Sequence, residues 1–163
     1  MTYRVRGPLL ALVGALLAVA ACARAFVSPL LPPPYRDQVP APYHVTWRAL
    51  IRALASENMP LRVVAMDSGV ISSDDLISPI GVYADCGRLG SETLEGEAVV
   101  AFTLFVQPNG GQATDLLVNS KMRTHAFRRG DSGSLRSSPV YPCASTGRFE
   151  ANLLDSVRRL VRE

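Results

Sequence analysis

From Tyr43 onward, apolar positions follow two periods. Trp47, Leu50, Ile51 and Leu54 fall at i, i+3, i+4 and i+7. That spacing predicts a helix over Tyr43 to Asn58 with one buried stripe and Arg48 and Arg52 beside it. Pro60 stops the helix. Leu61 to Met66 is apolar and β-branched, Asp67-Ser68-Gly69 reads as a turn, and Val70 to Ser73 as a short return strand, together a hairpin. Ile80 to Cys86 is a third strand, followed by a polar loop over Gly87 to Glu97. Ala98 to Gln107 is apolar at odd and even positions alike, as a strand covered on both faces would be. Pro108-Asn109-Gly110-Gly111 predicts a tight turn. Beyond it Thr114, Leu116, Val118, Ser120 and Met122 alternate with Asp115, Asn119, Lys121 and Arg123, a half-buried strand with a wet outer face. Arg128 to Pro142 is a serine- and glycine-rich loop closed by Cys143. Ser145 or Thr146 then caps a last helix whose stripe is Phe149, Leu153, Val157 and Leu160. Arg158, Arg159 and Arg162 complement its dipole. No internal repeat is visible.

The order helix, about five antiparallel strands, helix predicts an α+β fold. Two amphipathic helices need an apolar surface, and the simplest arrangement packs both on one face of the sheet. In this order, and in the turn of Met66-Asp67-Ser68-Gly69-Val70-Ile71-Ser72, residues 43–163 resemble the helix-grip domains of periplasmic lipoproteins in outer-membrane barrel assembly. The resemblance is one of pattern and implies a fold rather than a set of site residues.

The first 22 residues have another character. Arg4 and Arg6 precede an apolar run from Leu9 to Val19, which ends in Ala20-Ala21-Cys22. A basic start, a short apolar core and small residues at a cleavage point make a secretory signal peptide. The run is too short for a membrane span, which needs about 20 apolar residues. Val19-Ala20-Ala21-Cys22 resembles the lipobox of bacterial lipoproteins, with valine where leucine is commoner. The resemblance implies that residues 1–21 are removed and that Cys22 becomes a lipidated first residue. The other reading is an ordinary signal peptide cut nearby, with Cys22 incidental. Residues 23–42 hold six prolines without periodicity, so residues 22–42 read as lipidated cysteine plus a proline-rich tether. Extended at about 3.1 Å per residue, that tether would reach up to about 60 Å. One globular domain over 43–163 follows.

Charge and cysteine count change once the signal is set aside. The formal charge of +3 includes Arg4 and Arg6, and without them 15 basic residues face 14 acidic ones. No basic stripe with interleaved aromatics remains, which argues against nucleic acid as a partner. With Cys22 lipidated, Cys86 and Cys143 are left as an even pair, and an oxidising compartment favours joining them as a disulfide. Neither has a neighbouring ligand at zinc spacing.

Candidate chemistry is sparse. Gly130-Asp131-Ser132-Gly133-Ser134 resembles the nucleophile segment of chymotrypsin-like proteases, but His44 lacks the family's surroundings and the chain is too short for two barrels. Arg129-Gly130-Asp131 matches a cell-adhesion tripeptide by three residues only. His44 and His125 do not have metal spacing. Asp67, Asp74 and Asp75 depart from a calcium loop and suit turns. Glu92, Glu95 and Glu97 share an exposed loop, and the glycines at 87, 90, 110 and 111 precede no phosphate-binding helix. Arg128, Arg129 and Arg136 could meet anionic headgroups. No catalytic, metal or cofactor site is expected. The expected function is a non-enzymatic envelope lipoprotein, an interaction or assembly module held to the membrane by its lipid, with an envelope protein as partner. Ala23 after Cys22 favours the periplasmic face of the outer membrane in a diderm bacterium. The alternatives are a carrier of lipid or another apolar ligand in a helix–sheet cavity and, more remotely, a hydrolase.

Overall fold

The alternation between Ala98 and Arg123 produces the longest strand pair among the described residues. The computed structural model describes residues 25–125 and 140–163. In chain order the elements begin with β1 (Phe26–Val27), β2 (Tyr35–Val39), α1 (Tyr43–Ser56), β3 (Leu61–Ala65), β4 (Val70–Ser73) and β5 (Leu76–Pro79). There follow β6 (Ala84–Asp85), β7 (Arg88–Leu89), β8 (Glu92–Thr93), β9 (Glu97–Asn109), β10 (Ala113–His125), β11 (Val140–Ser145) and α2 (Arg148–Arg162). β9 and β10 pair antiparallel from Ala98 opposite Thr124 to Asn109 opposite Ala113. Around this hairpin the main sheet runs β3-β4-β9-β10-β11-β6, with β5 also beside β9 and β2 also beside β10. A small second sheet has the order β1-β7-β8. Over the described residues the protein is α+β, with two helices and a mostly antiparallel sheet.

Period two sorts the hairpin's side chains. Val100, Phe102, Leu104 and Val106 of β9 and Leu116 and Val118 of β10 are buried on one face. All but Val100 join Trp47, Leu50, Ala53 and Leu54 of α1 and Phe149, Leu153, Leu154 and Val157 of α2 in a single core. Fully burying a leucine such as Leu50 or Leu54 is worth about 2 kcal/mol. Phe149 stacks on Phe102 at 4.8 Å between ring centres. At the junction of β2 and α1, the hydroxyls of Thr46 and Thr114 both donate to the Ala41 carbonyl, at 3.3 and 2.8 Å. A second, smaller core gathers Ala84, Cys86, Leu94, Ala98, Val100, Met122 and Cys143, with Phe26, Leu89 and Tyr141 against it.

Several expectations are corrected. Among the described residues the main sheet has eight strands, not about five. The stretch read as tether is partly sheet: β2 pairs with β10 from Val39 opposite Thr114 to Tyr35 opposite Val118, and β1 pairs with β7. Prolines at 29, 32, 33, 34, 40 and 42 flank these strands without entering them, so the ladders keep their donors. The strand expected over Ile80 to Cys86 is mostly a turn, because Gly81 takes φ +90°; Leu76–Pro79 pairs with β9 instead. The loop over Gly87 to Glu97 contains β7 and β8. Among the described residues, helices cover β9 on one face only; Val99, Ala101, Thr103 and Phe105 lie half-buried or exposed on the other. Residues 128–139 of the expected loop lie outside the described residues, and its end, Val140–Pro142, belongs to β11. Gly147, not Ser145 or Thr146, is the N-cap of α2.

Candidate functional site

Cys86 and Cys143 form a disulfide, with Cα atoms 4.1 Å apart. β6 pairs with β11 at Asp85 opposite Ala144 and Ala84 opposite Ser145, so the next rung in register is Cys86 opposite Cys143. The bridge is a cross-strand staple. Cys86 lies two residues before β7, so the same bond ties the small sheet to the large one.

The face of the sheet turned away from the helices carries a continuous cross-strand row. Ala65 of β3 lies opposite Val70, Val70 opposite Phe105, Phe105 opposite Leu117, and Leu117 opposite Arg36 of β2. Phe105 remains 36% exposed and Val63, further along β3, 40%. A directly opposed aromatic–aliphatic pair such as Phe105 and Leu117 is the usual unit of cross-strand packing. Beside it, Gln107, Asp115 and Gln38 form the next row and Thr103 with Asn119 another. Together Arg36, Gln38, Phe105, Gln107, Asp115, Leu117 and Asn119 line an open concavity of about 750 Å³.

Asp115 is fixed within it. Asn109 Nδ2 donates to both carboxylate oxygens at 3.0 and 2.9 Å, and Gln38 Nε2 donates at 2.9 Å. The hydrogen bond from Asn109, then that from Gln38, hold its carboxyl below the ordinary aspartate range. The residues lining the concavity include no serine, cysteine or histidine. Chemically the surface offers an apolar strip, a cation, a fixed anion and amide hydrogen-bonding groups.

Other candidates do not converge. His44 is exposed in the first turn of α1, and His125 is exposed at the end of β10 farthest from Thr114, which anchors the start of α1. Asp67 lies in the β3–β4 turn, while Asp74 and Asp75 are taken up by Arg62 and Arg123. Glu92, Glu95 and Glu97 are exposed. Among the described residues no group of three or more histidine, cysteine, aspartate or glutamate side chains could hold a metal ion. Cys22, the signal segment, Arg128, Arg129, Arg136 and the Gly130–Ser134 segment lie outside the described residues. Where an apolar ligand would sit, between helices and sheet, the space is occupied by Leu50, Leu54, Phe102, Leu104 and Leu154, each at most 2% exposed. A groove at the helix ends, lined by Glu57, Met59, Tyr83, Asp155 and Arg159 among others, has about 240 Å³, below the range of about 300–1,000 Å³ usual for ligand pockets.

One buried polar cluster joins α2 to the sheet. Glu150, 3% exposed, accepts hydrogen bonds from Ser120 Oγ at 2.7 Å and from Ser145 Oγ at 2.8 and 2.9 Å. It stands in the first turn of α2, where the helix dipole favours a carboxylate. The cluster pins α2 to β10 and β11. Its only sequence signal was a serine at an inward position of β10, which needs a buried partner. The apolar strip had a signal too: Leu117 interrupts the otherwise polar outer set of β10.

No protein-family model matches the chain, and no curated protein matches its sequence.

Proposed function

We propose that this chain is an exported lipoprotein, anchored through Cys22, whose helix-grip-like domain is a non-enzymatic interaction or assembly module for an envelope protein. The observation that carries the reading is the sheet face that no described helix covers, where Phe105 and Leu117 lie paired between Arg36, Gln38, Asp115 and Asn119. An apolar centre within a hydrogen-bonding rim is the anatomy of a protein–protein interface. The lipobox-like Val19-Ala20-Ala21-Cys22 supports membrane anchoring, and Ala23 supports the outer membrane. A carrier of apolar ligands has less support, given the filled space between helices and sheet.

The test is photo-crosslinking in intact cells, with a photoreactive amino acid at Phe105 or Leu117 and, as control, at exposed Arg48 on α1. The expected result is one discrete protein adduct from both sheet positions and none from Arg48. Absence of adducts at the sheet positions, or the same adduct from α1, overturns the proposed surface. Palmitate labelling that persists in Cys22→Ser overturns the anchor.

A further inference from the structure

The N-terminal end of the domain holds its apolar side chains outward. Leu30 is 94% exposed, the most exposed large apolar side chain among the described residues, and its neighbours Leu31 and Val27 are 61% and 54% exposed. Isolated exposed leucines are ordinary, but three such residues within five positions form a patch. The patch is also held in place. Phe26 lies opposite Leu89, its ring 4.4 Å from that of Tyr141, and the Gly90 N–H donates to the Ala25 carbonyl at 3.0 Å. At Gly87 a Cβ would stand 2.2 Å from the Val27 carbonyl oxygen and 3.0 Å from Pro29 Cδ, so the segment lies directly on a backbone that only glycine allows. Pro29, Pro32, Pro33 and Pro34 fix φ on either side of Leu30 and Leu31, so little further ordering is needed for them to engage a surface.

Position selects the occupant. Cys22 stands four residues before Phe26, so a lipid on it is joined to β1 by at most about 14 Å of extended chain. Resting on the lipid-anchor reading above, we infer that Val27, Leu30 and Leu31 are a membrane-contacting wedge that seats the domain directly on the lipid surface. Chain attached this way cannot hold the domain at the end of a long tether, because β1 is already docked. The β9–β10 turn then points away from the bilayer, about 35–40 Å along the strands from the wedge. That orientation holds Phe105 and Leu117, seven rungs from the Ala98–Thr124 end of the hairpin, about 20–25 Å above the lipid surface and open to a partner.

The test uses the full lipidated chain in vesicles of phosphatidylethanolamine and phosphatidylglycerol. A single free cysteine at Leu30→Cys, or at exposed Gln112→Cys in the β9–β10 turn as control, carries an environment-sensitive fluorophore. The Leu30 probe should shift to the blue and be quenched several-fold more strongly by headgroup-proximal nitroxide lipids than the Gln112 probe. Lipidated protein that floats with the vesicles while both probes report water overturns the wedge and leaves the anchor standing. A blue shift without quenching assigns the patch to a second copy of the chain and likewise overturns the wedge. A chain that carries no lipid on Cys22 and does not float overturns the anchor reading and the wedge with it.

Discussion

Breaking the bond between Cys86 and Cys143 should produce the largest stability change available from a small chemical perturbation. The two cysteines are 57 residues apart, and closing a loop of that length removes about 14 cal/mol/K from the unfolded chain, or about 4.2 kcal/mol at 25 °C. The folded side adds little, because β6 and β11 are already paired at the neighbouring rungs and reduction leaves those hydrogen bonds in place. The reduced protein should therefore be less stable by about 4 kcal/mol, a large part of the 5–15 kcal/mol typical of a domain. Cys86→Ala/Cys143→Ala should lose about 1–2 kcal/mol more, since both sulfurs are buried and their removal leaves small voids. Trp47 is the single tryptophan and is 6% exposed, so its fluorescence reports unfolding in urea. With a slope of about 2 kcal/mol/M, the midpoint should fall by about 2 M on reduction. Coincident midpoints for oxidised and reduced protein, with alkylation confirming both states, would refute the loop-entropy reasoning.

Three further outcomes are expected. Gly69 has φ +67°, and a Cβ there would stand 2.1 Å from the Val106 carbonyl oxygen, so Gly69→Ala should cost about 3 kcal/mol or more; Gly110→Ala, with similar φ and open space, should cost only about 1 kcal/mol, and equal losses in urea titrations would contradict the contact. Glu150→Ala deprives Ser120 and Ser145 of their acceptor and should cost about 2–3 kcal/mol, whereas Glu150→Gln keeps an acceptor and should lose about 1 kcal/mol; a thermally neutral Glu150→Ala would remove the cluster's structural role. Asp115 titrates below the ordinary aspartate range when folded, so its contribution to stability is present above the unfolded pKa and is lost as pH falls through the folded one. In Asn109→Ala, carboxyl NMR should place the Asp115 titration closer to the ordinary value, and an unchanged curve would show that Asn109 is not its principal support.

Local pattern was sufficient for the elements whose period is imposed by one neighbour. The stripe of Trp47, Leu50 and Leu54 and that of Phe149, Leu153 and Val157 required helices with one buried face. The alternation from Thr114 to Met122, after Asn109-Gly110, required the hairpin with β9. Parity of cysteines, once Cys22 was set apart, paired Cys86 with Cys143. What needed the tertiary structure were choices between partners of similar local merit. Tyr35–Val39 has no apolar pattern of its own and becomes a strand because β10 presents an open edge from Thr114 to Val118. Leu76–Pro79 takes the edge of β9 from Glu97 to Val100, and the chain turns away from it at Gly81, whose φ is +90°. Glu150 is buried only because Ser120 and Ser145, 30 and 5 residues away, meet above it. Most consequential is the face of β9 that carries Phe105. Sequence shows it to be apolar, but only the placement of both described helices on the opposite face leaves it uncovered among the described residues. Long-range packing makes that choice, because no local period records which side of a strand another element will occupy.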